Sequence, residues 1–302
     1  MEKKDDFMWA LLMHLPTDTD TFHAVTDRMA EVGMNTLVMA VHDGVRLPSH
    51  PEIARKDAWS PEKLQEELAR LRKLGITPIP KCNFSMAHAG WMGEWKRVCS
   101  TPEFYGFCSD EIRDVATLFD KPRLFHMGMD EEGDLSCQSR CDYMVVRGEE
   151  LFWHDLRFYR DEIVRHGARA WMWGDEAWFR RDAFYRNFTK DILISNWFYG
   201  RTFNPDNRER NYEIPRIKSY AEFESKGYDQ VPCGTVWIPD YMTTAKCRAN
   251  DVNFPLTVAH CRAAVAPERL KGFLMSVWNG LFAANRKKYL HTVDLVAQSM
   301  RI

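Results

Sequence analysis

The run His126-Met127-Gly128-Met129-Asp130-Glu131-Glu132 sets a histidine and adjacent carboxylic acids just after a short apolar segment, Arg123-Leu124-Phe125. If that segment is a β-strand, its side chains alternate between faces. His126, Gly128 and Asp130 then share one face, and Glu131 follows where strand gives way to loop. Neighbouring carboxyl groups with a histidine beside them are what acid–base chemistry on a sugar would use. An Asp-Glu pair after a strand is also common as a solvated loop or a helix start, so this segment alone does not choose between catalysis and surface.

The elements that must hold these residues recur along the whole chain. Short apolar, β-rich segments lie at 7–15, 35–41, 77–82, 123–128, 168–173, 192–197, 231–237 and 272–278. Helical punctuation separates them. Ser60-Pro61-Glu62 combines a capping hydroxyl, a first-turn proline and an acid at the positive helix end, and Leu64, Leu68 and Leu71 then repeat at helical spacing. Thr101-Pro102-Glu103 opens another helix in the same way, and a last helix spans 285–300. Gly33, Gly75, Gly167 and Gly227 precede strands, where a helix end turning back toward a sheet favours positive φ. Strict alternation implies a parallel sheet of crossover units. Eight units, with no Gly-x-Gly-x-x-Gly after the first strand, point to an α/β fold: a closed (β/α)₈ TIM barrel forming a single domain over residues 1–302. An open Rossmann-like sheet is the alternative. The loops after strands three, four and six are expected to be the longest.

Bulk properties narrow the function classes. Hydrophobic residues make up 45% of the 302, enough for a large core, and the formal net charge is −2 with no long basic run. Nucleic acid is therefore not expected as a partner, because phosphate binding needs concentrated positive charge. No apolar run approaches the roughly 20 residues of a membrane span. The start Met1-Glu2-Lys3-Lys4-Asp5-Asp6 is charged. The chain as given therefore reads as cytoplasmic, and as periplasmic or secreted if a signal peptide has been removed. Eight scattered cysteines (82, 99, 108, 137, 141, 233, 247 and 261) make no dense disulfide pattern. Cys137 and Cys141 have no second Cys/His pair at finger spacing, and most of the cysteines are expected to be reduced and structural. Oligomeric state is not readable.

A barrel of this kind collects its functional residues at the C-terminal strand ends. In chain order those ends carry His14; His42 and Asp43; Asn83, leading to His88; His126, Asp130 and Glu131; Trp173, Asp175 and Glu176; Trp197; Trp237, with Asp240 and Tyr241 beyond; and Trp278 with Asn279. Sugars offer apolar C–H faces for stacking and hydroxyls that need paired donors and acceptors. Tryptophans at four strand ends interleaved with acids, His and Asn meet that demand. A single one of them would read as barrel core. Arg180-Arg181 and the charged stretch 201–216 read as solvated surface, although that stretch could also lid the pocket.

His126-Met127-Gly128-Met129-Asp130-Glu131 resembles the His-x-Gly-Gly-Asp-Glu signature at the end of the fourth barrel strand in glycoside hydrolase family 20, the β-N-acetylhexosaminidases. The later tryptophans, and Trp237 with Asp240-Tyr241, are similar to that family's sugar-binding wall. The resemblance implies that Glu131 is the general acid and that Asp130 orients and charge-stabilises a 2-acetamido group whose carbonyl oxygen is the nucleophile. That scheme departs from the two-carboxylate one. It further implies that Tyr241 donates to that oxygen and that His126 holds the acid dyad. Three departures bear on N-acetyl specificity more than on glycosidase chemistry. Met129 stands for the second glycine, Ser276-Val277-Trp278-Asn279 stands where Trp-x-Glu is expected, and the smaller α/β domain that usually precedes the barrel is not seen.

The function expected is thus an exo-acting, retaining glycoside hydrolase on a terminal, N-acetylated or other, sugar, with Glu131 and Asp130 catalytic. His14, Asp43, Asn83, His88, His126, Trp173, Asp175, Glu176, Trp197, Trp237, Asp240, Tyr241, Trp278 and Asn279 are expected to bind substrate, with no metal and no cofactor. Asp175 or Glu176 could instead be a second catalytic carboxylate, although hydroxyl binding is the favoured role for both. Two other classes stay open: a metal-dependent barrel hydrolase or isomerase using His14, His42, Asp43, His88, His126 and Glu176, and a non-catalytic carbohydrate-binding barrel.

Overall fold

All eight expected segments are strands, and all eight run parallel. The structure, a computed structural model, describes residues 7–132, 145–204, 206, 214–239, 247–278 and 285–302. The strands are β1 Met8–His14, β2 Thr36–Ala40, β3 Thr77–Lys81, β4 Leu124–His126, β5 Arg169–Trp173, β6 Leu193–Ser195, β7 Cys233–Pro239 and β9 Gly272–Val277. A ninth, β8 Cys247–Ala249, pairs antiparallel with β7 as a side hairpin and was not expected from the sequence. The hydrogen-bonded order β6-β5-β4-β3-β2-β1-β9-β7 leaves one seam, between β6 and β7. Val231 N–H donates to Ile194 O at 2.9 Å and Cys233 N–H to Asn196 O at 2.8 Å, closing it. The sheet is a barrel, and the open alternative is overturned.

Alternation along each strand builds two cores. Met8, Ala10 and Leu12 of β1 point into the barrel with Val38, Ile79 and Leu274. Leu11 and Met13 point outward to the helices. The helices are α1 Thr19–Val32, α2 Pro61–Lys73, α3 Pro102–Leu118, α4 Glu149–Arg165, α5 Glu176–Phe179, α6 Arg181–Asn187, α7 Ile214–Ser225, α8 Asn253–Ala264 and α9 Arg286–Ser299. Their starts follow the expected chemistry. Ser60 accepts from Lys63 N–H at the head of α2, and Thr101 from Phe104 N–H at the head of α3. The four helix-end glycines have φ between 75° and 85°, a region that a Cβ disfavours. The connection after β2, residues 41–60, is as long as that after β3, residues 82–101, an addition to the long loops expected. Cys82, Cys99, Cys108, Cys233 and Cys261 are free thiols, while Cys137 and Cys141 lie outside the described residues. No described helix is long and apolar enough to cross a membrane.

One buried group stands apart from the barrel mouth. Glu111 of α3 is fully buried, and neither carboxylate oxygen has a hydrogen-bond partner among the described residues. Burial, with Asp114, Glu52 and Asp110 adding, pushes its pKa well above the ordinary carboxylate value, so it is protonated in the folded state. The unfolded chain ionises Glu111 above about pH 4.3 while the folded one does not, so this residue costs stability increasingly as pH rises. Glu111→Gln should therefore match wild type near pH 4 and exceed it by about 1–2 kcal/mol at pH 7.5 in urea denaturation. An unchanged difference across that range would refute the neutral assignment.

Candidate active site

The acid pair is presented by a backbone that leaves the strand earlier than the sequence implied. β4 ends at His126, and the chain then adopts positive φ at Gly128 (72°), Met129 (71°) and Glu131 (58°). Strand alternation therefore does not place Asp130; the left-handed turn does. At Gly128 a Cβ would come within 2.0 Å of Asn83 Oδ1, so only glycine fits between β4 and the loop after β3. Met129 and Glu131 each carry strain on the order of 1 kcal/mol or more, which the surrounding bonds must overcome.

Asn83 makes the first of those bonds. Its Nδ2 donates to Asp130 Oδ1 at 2.7 Å, and its Oδ1 accepts from Met129 N–H at 3.0 Å and Ser85 N–H at 3.1 Å. Asn83 is itself held from behind, donating its own N–H to His42 Nε2 at 2.9 Å and accepting from Trp91 Nε1 at 2.9 Å. Asp175 makes the second, accepting Glu131 N–H at 2.8 Å on Oδ2. The third acid of the run, Glu132, is buried and structural. Arg147 Nε and Nη2 donate to it at 2.8 and 2.9 Å, and Met86 N–H at 2.9 Å. His126 does not hold the dyad as expected. It is buried under Trp171 and Trp173, and its Nδ1 accepts from Gly128 N–H at 3.0 Å.

Charge is balanced tightly around the pair. His88 Nε2 lies 3.4 Å from Asp130 Oδ2 and 3.2 Å from Glu131 Oε2, an ion-pair distance without the alignment of a hydrogen bond. Burial opposes a charge on His88, but Asp130 and Glu131 outweigh it and push the pKa up to about 10. Burial likewise works against the Asp130 carboxylate, yet His88, Lys81 and Asn83 hold it well below the usual range. Lys81 is buried at the end of β3, where burial lowers its own pKa against the pull of Asp130. Sequence reasoning missed it because a lysine closing a strand reads as a solvated end. Its inward position is the one signal, since it alternates with Ile79 on the barrel-facing side. Burial, Lys81 and His88 push His14 down to about 4, and burial and Lys81 push His126 well below its ordinary value, so both rings are neutral. Asp175 goes the other way: burial, Asp130 and Glu176 raise it well above the ordinary value. Its Oδ1 has no hydrogen-bond partner among the described residues, so a protonated Asp175 has a donor to offer a ligand.

His88, Asp130 and Glu131 each present a ligand atom, all within 4.8 Å of one another, a set that could hold a divalent cation. Buried Lys81 acting on Asp130 opposes an added cation there.

Aromatic rings form one wall, with changes from the expected set. Trp173 and Trp278 lie 6.3 Å apart between ring centroids, and Tyr199 and Trp197 continue the row at 6.2 and 5.0 Å. Trp178, on α5, packs on Trp197 at 4.6 Å. Tyr199 and Trp178 are additions to the expected set, and each stands near a strand-end tryptophan. Trp237 does not belong to the wall. It faces the helix layer, 6.0 Å from His291 of α9 with Lys288 over its ring. A bulge between Thr235 and Trp237 puts an extra residue into β7, so Val236 and Trp237 both end on the Val277 side.

Asp43 is buried on the turn after β2, and Glu176 accepts from Arg180 Nε at 2.5 Å. Arg181 is exposed as expected, but Arg180 and Arg216 are not simply solvated, because both line a cavity of about 770 Å³ beside Glu131. Asp240, Tyr241 and Asn279 lie outside the described residues.

Neither a protein-family model nor a curated protein matches the sequence. Solved structures do match. An exo β-N-acetylglucosaminidase of glycoside hydrolase family 20 (GH20) from Vibrio harveyi, solved with N-acetylglucosamine, superposes with a TM-score of 0.65 at 16% identity over 98% of this chain and 54% of its own. A β-N-acetylhexosaminidase from Bacteroides fragilis gives 0.69 at 14% over 97% and 65%, and the Streptomyces plicatus enzyme 0.69 at 13% over 98% and 63%. The fold is the one these structures share. The chain spans about half to two thirds of the length of these neighbours.

The Glu132–Arg147 pair carries a stability consequence. Arg147 also donates to Asp155 Oδ2 at 3.1 Å and Phe84 O at 2.8 Å, all with no exposure. Arg147→Met leaves a buried carboxylate uncompensated and should cost about 3–5 kcal/mol in urea denaturation, part of it recovered when Glu132→Gln is added. Full additivity of the two changes would show that they do not act as a pair.

Proposed function

We propose that the chain is a glycoside hydrolase that removes a terminal 2-acetamido sugar with retention of configuration, Glu131 serving as acid and Asp130 as the anion beside the acetamido group. Fold likeness by itself does not assign an activity. The observation that carries the reading is the Asp130-Glu131 pair bracketed by His88, at the strand ends of a barrel whose mouth is lined by Trp173 and Trp278.

In the first step Glu131 gives its proton to the glycosidic oxygen while the acetamido carbonyl oxygen bonds to C1 and the C1–O bond breaks. The positive charge on the resulting cyclic intermediate is offset by Asp130, already ionised and oriented by Asn83. Water then attacks C1 and returns a proton to Glu131, and the acetamido group is restored. Two inversions leave the anomeric configuration unchanged. His88, a cation 3.2 Å from Glu131 Oε2, stabilises the carboxylate that Glu131 becomes once it has given up its proton, and protonated Asp175 offers a hydrogen bond to a sugar hydroxyl. Asp175 is a poor nucleophile, since burial and neighbouring acids keep it neutral.

The His88, Asp130 and Glu131 ligand set favours one further reading, a cation-dependent hydrolase. One experiment separates the two. On an aryl N-acetyl-β-glucosaminide with a poor leaving group, Glu131→Gln should lower kcat about 10²–10⁴-fold, and much less on one with an activated leaving group. Chelation should leave wild-type turnover unchanged. Turnover that survives Glu131→Gln on both substrates, or that is lost to chelator and restored by a stoichiometric metal, would overturn the proposal.

Lys81 makes a pH prediction. With it present, Asp130 stays ionised far into the acid range, so activity falls only at low pH. Lys81→Met removes a cation that favours the carboxylate, so the Asp130 pKa rises and the acidic limb of kcat/KM moves to higher pH. An acidic limb that stays in place would show that Lys81 does not act on Asp130.

A further inference from the structure

The cavity of about 770 Å³ beside Glu131 is walled by the connections after β4, β5 and β6 and by the start of α7. Most of its charge is already matched. Arg147 is held by Glu132 at 2.8 Å and Arg180 by Glu176 at 2.5 Å. Arg216 differs. Its guanidinium carbon lies over two indoles, 4.5 Å from the Trp178 centroid and 4.7 Å from that of Trp197, and it has no carboxylate partner among the described residues.

This wall is held in place by a fully buried asparagine. Asn196 Nδ2 donates to Arg216 O at 2.7 Å, and its Oδ1 accepts Trp178 Nε1 at 3.0 Å. The indole N–H of Trp178 and the carbonyl of Arg216 are thereby used up, leaving the guanidinium N–H groups for a ligand. Phe179, 71% exposed on the same rim, adds an uncovered apolar face of the kind on which sugar rings stack. Exposed Glu149 adds a negative charge to the lining.

We propose that this cavity receives the leaving group and that Arg216 selects leaving groups carrying an anion, a carboxylate or a sulfate on a sugar ring. The inference deepens the glycosidase reading and rests on Glu131 as the acid, because the group it protonates must depart into the space that Glu131 lines. A guanidinium over aromatic rings, with no carboxylate partner among the described residues, engages a carboxylate or sulfate through paired, charge-assisted bonds. A neutral sugar can only stack.

The test is binding, read by tryptophan fluorescence on the full chain with three ligands that lack an acetamido group: methyl β-glucoside, methyl β-glucuronide and methyl 6-sulfo-β-glucoside. Wild type and Glu131→Gln should bind at least one of the anionic ligands about tenfold more tightly than the neutral one, with an advantage that shrinks as salt is added. Whichever anion gains more identifies carboxylate or sulfate as the preferred group. Arg216→Gln should abolish the advantage. Arg216→Lys, which keeps the charge but not the paired geometry, should retain part of it. Equal binding of all three by wild type, binding of none, or an advantage that survives Arg216→Gln would overturn the proposal. Turnover of the aryl N-acetyl-glucosaminide is followed separately. If turnover is absent while the anion preference holds, the catalytic reading fails and the anion site stands.

Discussion

Four carboxyl groups, Asp130, Glu131, Asp175 and Glu176, meet at one barrel mouth, and the site depends on how their mutual repulsion is neutralised. Each has a different answer. Asp130 keeps its charge because His88, Lys81 and Asn83 favour the anion. Glu131 shares His88 with it. Asp175 is kept neutral by burial and by its acidic neighbours, and Glu176 pairs with Arg180. The Asp130 anion helps to keep Asp175 protonated, so the protonation states of these two are linked.

The same logic explains why the loop after β4 is built from strained residues. Positive φ at Met129 and Glu131 turns the chain sharply enough to bring Asp130 against Asn83 and the Glu131 amide against Asp175. Glu132 then locks the turn to Arg147 in the interior, where the cost of burying both charges is offset only because several further bonds satisfy them. A run of three acids that looks uniform thus divides into two that face the barrel mouth and one that anchors them.

Around this centre the barrel mouth is asymmetric. The indole row from Trp173 through Trp278, Tyr199 and Trp197 bounds one arc, and the cavity beyond Trp197 and Trp178 lies on the Glu131 side. The identity of 13–16% to neighbours of the same fold is consistent with a frame set by apolar alternation, which many sequences satisfy.

The chain's own order of residues determined the architecture, because alternation in strands and caps at helix starts are local effects: Ser60, Thr101 and the helix-end glycines act within a turn of themselves. It also determined which strand ends carry acids, His, Asn and Trp. Only the tertiary structure decided what those residues do. Trp237 left the wall because one extra residue in β7 reversed its facing, an effect set by pairing with β9 that nothing local announces. His126 gave way to Asn83 as the partner of Asp130 because the strand stopped two residues early and a loop from β3 filled the space. Lys81, Arg180 and Arg216 look like surface cations in one dimension. They become parts of the site only once the barrel and its loops bury their stems, since a charge's role depends on what surrounds it in space.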